Sequence, residues 1–206
     1  MSTPANPIKL FHHPISGHVH RVELFLSLLG VPYELVHVEL KKGEHKSEEF
    51  LKINPTGQLP AIDDNGTFVS DSNAILVYLA QKYDTDNKWI PADAEGAAAV
   101  QKWFSTAAGL LAFGAGAARL INLFNAGFNK EEVTTRANNL LKFMDGVLAD
   151  NDYLLGGEIT AADVAMYSYT ARAPEGDIAL DEYKNVTAWL ERIEGLENFV
   201  PFVKSR

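Results

Sequence analysis

At 206 residues the chain is long enough to bury a sizeable core and allows one large domain or two small ones. Its 47% hydrophobic and 22% charged residues are ordinary for a soluble globular protein, and a net charge of -9 with a pI near 5.1 withholds the basic face that nucleic-acid binding needs. Zero cysteines exclude disulfides, thiolate metal sites and a cysteine nucleophile.

No run of about 18 apolar residues suggests a membrane span. The first residues, MSTPANPIKL, lack a basic region followed by an apolar stretch, so no signal peptide is expected and the default location is the cytoplasm. Ile8 to His12 reads as a strand. Ser16 to Leu29 reads as a helix with Val19, Val22, Leu26 and Leu29 on one face, ended by Gly30 ahead of Pro32. His12, His13, His18 and His20 lie close in sequence, yet His18 and His20 point to different helix faces and no carboxylate cluster joins them, so no metal site is expected.

Tyr33 to Val38 is the next strand, and a polar stretch leads to a short helix at Ser47 to Lys52. Asn54-Pro55-Thr56-Gly57 is a breaker cluster: Pro55 disfavours helical geometry at Asn54, and Gly57 tolerates positive φ. Ala61 and Ile62 then open a strand, Asn65-Gly66 signals a hairpin, and Thr67 to Val69 runs back before a helix begins at Ser70-Asp71-Ser72. The order is βαβ followed by ββα, closing at about Tyr83, which predicts a small α/β domain of thioredoxin-like layout over residues 1–83.

Residues 84–94, rich in Asp, Asn and Pro, read as a linker. Residues 95–206 read as an all-helical domain: an alanine-rich helix from Glu95 to about Phe124 with kinks at Gly109, Gly114 and Gly116, then Lys130 to Leu148, Ala161 to about Arg172, and Asp181 to about Glu194. Thr160 and Asp163 form a capping box, with Ile159 and Val164 as a hydrophobic staple. Arg119 is expected in a surface ion pair, with contact to an anionic substrate or partner as the alternative. The fold class expected is thus α/β plus all-α, with the cleft between the domains as the default ligand site.

Residues 54–75 carry the chemistry. Pro60 stands at a strand entrance where a cis bond would leave the Leu59 N–H and C=O free for an extended peptide. The Ser72 amide and hydroxyl at a helix start suit a carboxylate, and Asp71 beside it suits an ammonium. With the Gln58 side chain these groups fit an α-amino acid head followed by a peptide, as at the γ-glutamyl end of glutathione. The competing reading is a helix cap and a turn with no ligand.

Gly43 to Ile62, GEHKSEEFLKINPTGQLPAI, resembles the glutathione-site signature of plant phi-type and bacterial members of the cytosolic glutathione transferase family. DSNAI at 71–75 resembles the family's ESRAI, and Thr160 to Asp163 resembles the capping element of its second domain. The resemblance runs from about Ile8 to Phe202. It implies that Gln58 and the backbone at Leu59 and Pro60 hold the cysteinyl part, Asp71 and Ser72 the γ-glutamyl end, and His45 and Lys46 the glycine carboxylate. Asp71 is one methylene shorter than the family's glutamate.

Family members activate the thiol with tyrosine, serine or cysteine near the first helix. Cysteine is absent, and the tyrosine position falls at about His12, so the segment Ile15 to Val22 resembles the serine version with Ser16 as the activating residue. Ser16 would donate its hydroxyl hydrogen to the sulfur; lowering a thiol pKa by about 2 units takes roughly 2.7 kcal/mol, within reach of a charge-assisted hydrogen bond plus a helix N-terminus. His12 and His18 are rivals for that role, and Ser16 as a plain N-cap is the structural alternative.

The function implied is conjugation of the glutathione thiolate to a hydrophobic electrophile by a homodimer. Glutathione is then a co-substrate, and no permanently bound cofactor is expected. A non-catalytic ligand-binding or docking module, and a glutathione-dependent peroxidase or isomerase, remain as alternatives. Trp103, Phe104, Leu110, Leu111 and Phe113 are candidate walls for the electrophile, or core; the small residues of 107–120 leave a cavity or allow close packing.

Overall fold

Alternation in Ile8-Lys9-Leu10 buries Ile8 and Leu10 completely and leaves Lys9 outside, which makes β1 (Ile8–His12) the half-buried strand its pattern predicts. The computed structural model describes residues 3–205. β1 runs parallel to β2 (Tyr33–His37) and antiparallel to β3 (Ala61–Asp64), which pairs antiparallel with β4 (Thr67–Ser70), giving the sheet order β2-β1-β3-β4. Helices α1 (Gly17–Leu28), α2 (Glu48–Ile53) and α3 (Ser72–Tyr83) complete the thioredoxin-like domain. All four residues of the predicted α1 stripe are buried, and Gly30 ends the helix at φ +64.

Near the start of β3, Val38, Phe50 and Ala61 form a buried cluster against which Phe11, Leu40, Ile53 and Leu59 pack, with the Phe11 and Phe50 rings edge to face at 5.8 Å. The α2 helix thereby fixes the floor beneath Leu59. At the far end of β3 the buried Asp64 carboxylate accepts hydrogen bonds from Lys82, Tyr83 and Tyr78 of α3, at 2.6, 2.7 and 2.8 Å. Burial alone would raise that carboxyl, but bonds from Lys82, Asn65, Tyr83 and Tyr78 hold it down at about 2.

The chain divides into two compact units, with the boundary between Ile90 and Pro91, inside the predicted linker. Glu197–Val203 belongs to the first unit rather than continuing the helical domain to residue 206. The cause is specific: His20 Nε2 donates to the Val200 carbonyl at 2.8 Å, the His20 ring stacks on Phe202 at 4.7 Å, and Ser27 donates to the Asn198 carbonyl at 2.7 Å.

The second unit is helical: α4 (Ala94–Thr106), a π-helical stretch Ala107–Gly116, α5 (Ala117–Phe124), α6 (Lys130–Leu148), α7 (Ala161–Ala171) and α8 (Lys184–Glu194). In place of kinks, 107–116 widens to π register. Its small residues serve close packing: a Cβ on Gly114 would stand 3.1 Å from the Ala137 backbone nitrogen in α6. By length and composition Ala94–Phe124 could cross a membrane, with mean hydropathy 1.5 over its most apolar window, of which 44% is buried inside the protein.

The capping box at α7 forms as predicted, while α8 starts at Lys184 rather than Asp181 because Asp145 of α6 accepts from Asn185 N and Val186 N at 2.8 and 3.1 Å. Arg119 is not at the surface. It is 1% exposed and pairs with buried Glu175 at 2.6 Å, whose other oxygen accepts from Ser205 N.

Candidate active site

Strand register alone brings three segments to one end of the sheet. Phe11 pairs with Ala61 and Ala61 with Ser70, so the residues after β1, before β3 and after β4 all emerge at that end. Ser16, Gln58 to Pro60, and Asp71 with Ser72 belong to these three segments.

Ser16 is the N-cap of α1. Its N–H donates to the His13 carbonyl at 3.0 Å and its hydroxyl oxygen accepts from Val19 N at 3.3 Å. The cap reading and the catalytic reading are compatible, because capping uses the oxygen as an acceptor and leaves the hydroxyl hydrogen without an acceptor among the described residues. That hydrogen sits at the positive end of α1.

The 54–60 turn is held from within. Buried Asn54 donates its Nδ2 to the Gln58 carbonyl at 2.8 Å, and its Oδ1 accepts from Thr56 N at 3.1 Å and Thr56 Oγ1 at 2.9 Å. The Leu59–Pro60 bond is cis, and no hydrogen bond is made by the Leu59 backbone among the described residues. Gly57 adopts φ +59, and a Cβ there would stand 2.8 Å from the His45 carbonyl oxygen and from Lys46 Cδ and Nζ. Lys46 Nζ donates to the Thr56 carbonyl at 3.1 Å. The turn therefore holds His45 and Lys46 against Thr56 and Gly57.

At α3, Asp71 is exposed and held at φ 70 and ψ 124, a conformation rare for any residue but glycine. Its Oδ1 accepts from Asn73 N and Ala74 N at 2.9 and 3.0 Å, leaving Oδ2 for another partner. The N–H of Ser72 takes no partner among the described residues, and its side chain is buried.

Sequence reading missed what surrounds Ser72. Fully buried Arg21 of α1 donates through Nη1 to Ser72 Oγ at 2.7 Å and to Asn73 Oδ1 at 2.9 Å. His18 Nδ1 lies 3.3 Å from Ser72 Oγ and 3.4 Å from Arg21 Nη1. Both neighbours can donate to it only if Nδ1 is unprotonated, and burial followed by the Arg21 charge pushes His18 down to about 3. A neutral His18 turned toward Ser72 is not a cationic partner for a thiolate. The signal for Arg21 was a cation inside an otherwise apolar helix face.

His12 and His13 pack against His37 with ring centres 5.5 and 5.6 Å apart, and burial, then the His37 charge, lowers both. Among the described residues no group of three or more His, Cys, Asp or Glu side chains is placed to hold a metal ion. In the helical unit Trp103, Phe104 and Leu111 are 1–3% exposed and serve the core, with the Trp103 ring stacked on Phe143 of α6 at 5.6 Å; Leu110 and Phe113, at 48% and 52%, are the two of the five candidate walls open to a small molecule.

Two sequence models cover most of the chain: "Glutathione S-transferase, N-terminal domain" matches residues 6–81 and "Glutathione S-transferase, C-terminal domain" matches 122–197. The chain is 31% identical over 196 residues to glutathione S-transferase theta-2 of Homo sapiens, covering 91% of this chain and 80% of that protein. It is 31% identical to glutathione S-transferase 3 of Zea mays, covering 91% and 89%. A solved glutathione S-transferase from Pseudomonas fluorescens superposes with TM-score 0.88 at 30% identity over 97% of this chain and 100% of that one. A Drosophila mojavensis homologue solved with bound glutathione gives TM-score 0.82 at 27% identity, covering 92% and 88%. Similar in sequence and architecture from end to end, the chain belongs to the glutathione S-transferase family, whose reaction is the conjugation of glutathione.

Proposed function

We propose that Ser16 activates glutathione in this transferase by donating its hydroxyl hydrogen to the thiolate. The observation that carries the reading is the division of labour at that side chain: the oxygen caps α1 through Val19 N, and the hydrogen is left to give. The thioether forms when the sulfur attacks the electrophilic carbon and either the leaving group departs with its electron pair or the π pair shifts away from that carbon and is protonated by water; Ser16 never bonds to carbon. The cysteinyl backbone pairs with Leu59 beside cis-Pro60, with Gln58 alongside. The γ-glutamyl carboxylate lies at Ser72 and its ammonium at Asp71 Oδ2, and the glycine carboxylate is met by His45 and Lys46.

The electrophile is hydrophobic, with Leu110 and Phe113 as the apolar walls available to it. The working form is a cytoplasmic homodimer. Ser16→Ala, assayed with glutathione and a chloronitroarene, is expected to lower kcat about 10- to 100-fold at neutral pH, the worth of one charge-assisted hydrogen bond. Its pH profile should move up toward the free-thiol value of about 8.5. An unchanged rate and pH profile would show that another group holds the thiolate.

A further inference from the structure

The γ-glutamyl end of the site contains a cation that the sequence motif does not supply. The family motif ESRAI carries arginine third, whereas this chain has Asn73 there, in DSNAI. The charge comes instead from α1, 51 and 52 residues away: Arg21 Nη1 reaches Ser72 Oγ at 2.7 Å and Asn73 Oδ1 at 2.9 Å. Asn73 at this position is thus an acceptor that anchors the guanidinium.

We propose that Arg21, Asn73 and His18 are positioning residues for the γ-glutamyl carboxylate, acting through Ser72. The proposal rests on the assignment of Ser72 to that carboxylate. Arg21 donates to the Ser72 oxygen, which both fixes the side chain and makes its hydroxyl hydrogen a stronger donor. In the ligand-free arrangement that hydrogen is directed to His18 Nδ1, 3.3 Å away. When the carboxylate arrives at the open Ser72 N–H, the hydroxyl turns to it. Arg21 Nη1 keeps its two hydrogens on Ser72 Oγ and Asn73 Oδ1, at 2.7 and 2.9 Å, so the serine oxygen stays fixed while its hydrogen changes acceptor. No proton changes owner in this exchange.

Ser72 is therefore a hydroxyl with two prepared acceptors. Arg21 keeps one position for its oxygen throughout. Recognition of the carboxylate by a buried cation acting through a serine differs from direct pairing with a surface arginine: the ligand meets neutral donors polarised from behind.

The test compares glutathione with its analogue lacking the γ-glutamyl α-carboxylate, γ-aminobutyryl-cysteinyl-glycine, by calorimetric titration and steady-state kinetics. The wild-type protein should prefer glutathione by about 30-fold or more, the worth of a charged hydrogen-bonded contact. In Arg21→Gln that preference should collapse to within about threefold, carried by KM with kcat for saturating substrate nearly retained, and Arg21→Lys should recover part of it. Asn73→Ala should give an intermediate preference.

Circular dichroism melts identify any variant that fails to fold; if Arg21→Gln is one, Asn73→Ala and His18→Leu carry the measurement, since each disturbs the network without removing the cation. Equal weakening of both ligands by the folded variants would overturn the proposal, because a merely structural role does not discriminate between them. If wild-type protein binds neither ligand at millimolar concentration, the assignment of the glutathione site itself has failed.

Discussion

Two helix starts in this protein use the same capping chemistry to different extents. At α7, Thr160 and Asp163 are buried, and the Asp163 carboxylate accepts from Leu154 N, Thr160 N and Trp189 Nε1, each at 2.9 Å, and from Thr160 Oγ1 at 3.2 Å. At α3, Asp71 is exposed, sits at φ 70 and spends one carboxylate oxygen on capping, while the neighbouring Ser72 N–H has no partner among the described residues. One start is closed and saturated. The other is strained and incomplete, in keeping with the ligand-binding role proposed for it.

The comparison predicts its largest effect at α7. Burial pushes the Asp163 carboxyl up, and four donated bonds oppose that push. Asp163→Ala removes the acceptor for donors held inside the helical unit, including the Trp189 indole. The expected loss is about 3–5 kcal/mol of unfolding free energy, read from the urea midpoint at constant m-value. A loss below about 1 kcal/mol would mean that water replaces the carboxylate and the start is not closed.

Much of this contrast could be read in advance, but unevenly. The Thr160–Asp163 box, the breaker turn at Asn54 to Gly57 and the cis bond before Pro60 are local, set by residues within four positions of one another, and each formed as its sequence predicts. The Arg21 contact to Ser72, the Glu175 partner of Arg119 and the Asp145 cap of α8 join residues 40 or more positions apart. No periodicity encodes such pairs; they exist only once helices have packed. The same limit hid the return of Glu197–Val203 to the first unit, which depends on His20 and Ser27 facing Val200 and Asn198. The strain at Asp71 was hidden for another reason: aspartate signals a cap, and nothing in its identity fixes the sign of φ.

Asp64 separates burial from domain identity as the source of the contrast. It lies in the same unit as Asp71 yet resembles Asp163, being 2% exposed with Tyr78, Lys82 and Tyr83 donating to one oxygen. Its folded value near 2 lies below the ordinary 3.8, so its contribution to stability is present above about pH 4 and is lost as the pH falls through 2. The shift corresponds to about 2 kcal/mol. Asp64→Asn should lower stability by about that much at pH 7 and flatten the acid limb of the urea midpoint against pH. An unchanged limb would assign the acid sensitivity to other carboxylates, such as Glu175, whose value is also lowered despite burial, through Ser205 and Arg119.

The smallest predicted effect on stability is the sharpest for the comparison, because its sign differs. Asp71→Gly relieves a backbone conformation that costs on the order of 1–3 kcal/mol in a non-glycine residue. Against this, glycine is itself a tolerable N-cap, so losing the bonds to Asn73 N and Ala74 N costs a few tenths of a kcal/mol beside other cap replacements, plus the entropy of a freer unfolded chain. The balance is a gain of up to about 1 kcal/mol. Glutathione affinity moves the other way, falling about tenfold as the carboxylate facing the ligand ammonium disappears. Asp71→Asn separates the two contributions, keeping the cap and tolerating positive φ while removing the charge, so it should weaken glutathione with little change in stability. If Asp71→Gly instead destabilised the fold by more than about 1 kcal/mol without weakening glutathione, α3 would begin as α7 does, with a cap that serves the fold alone.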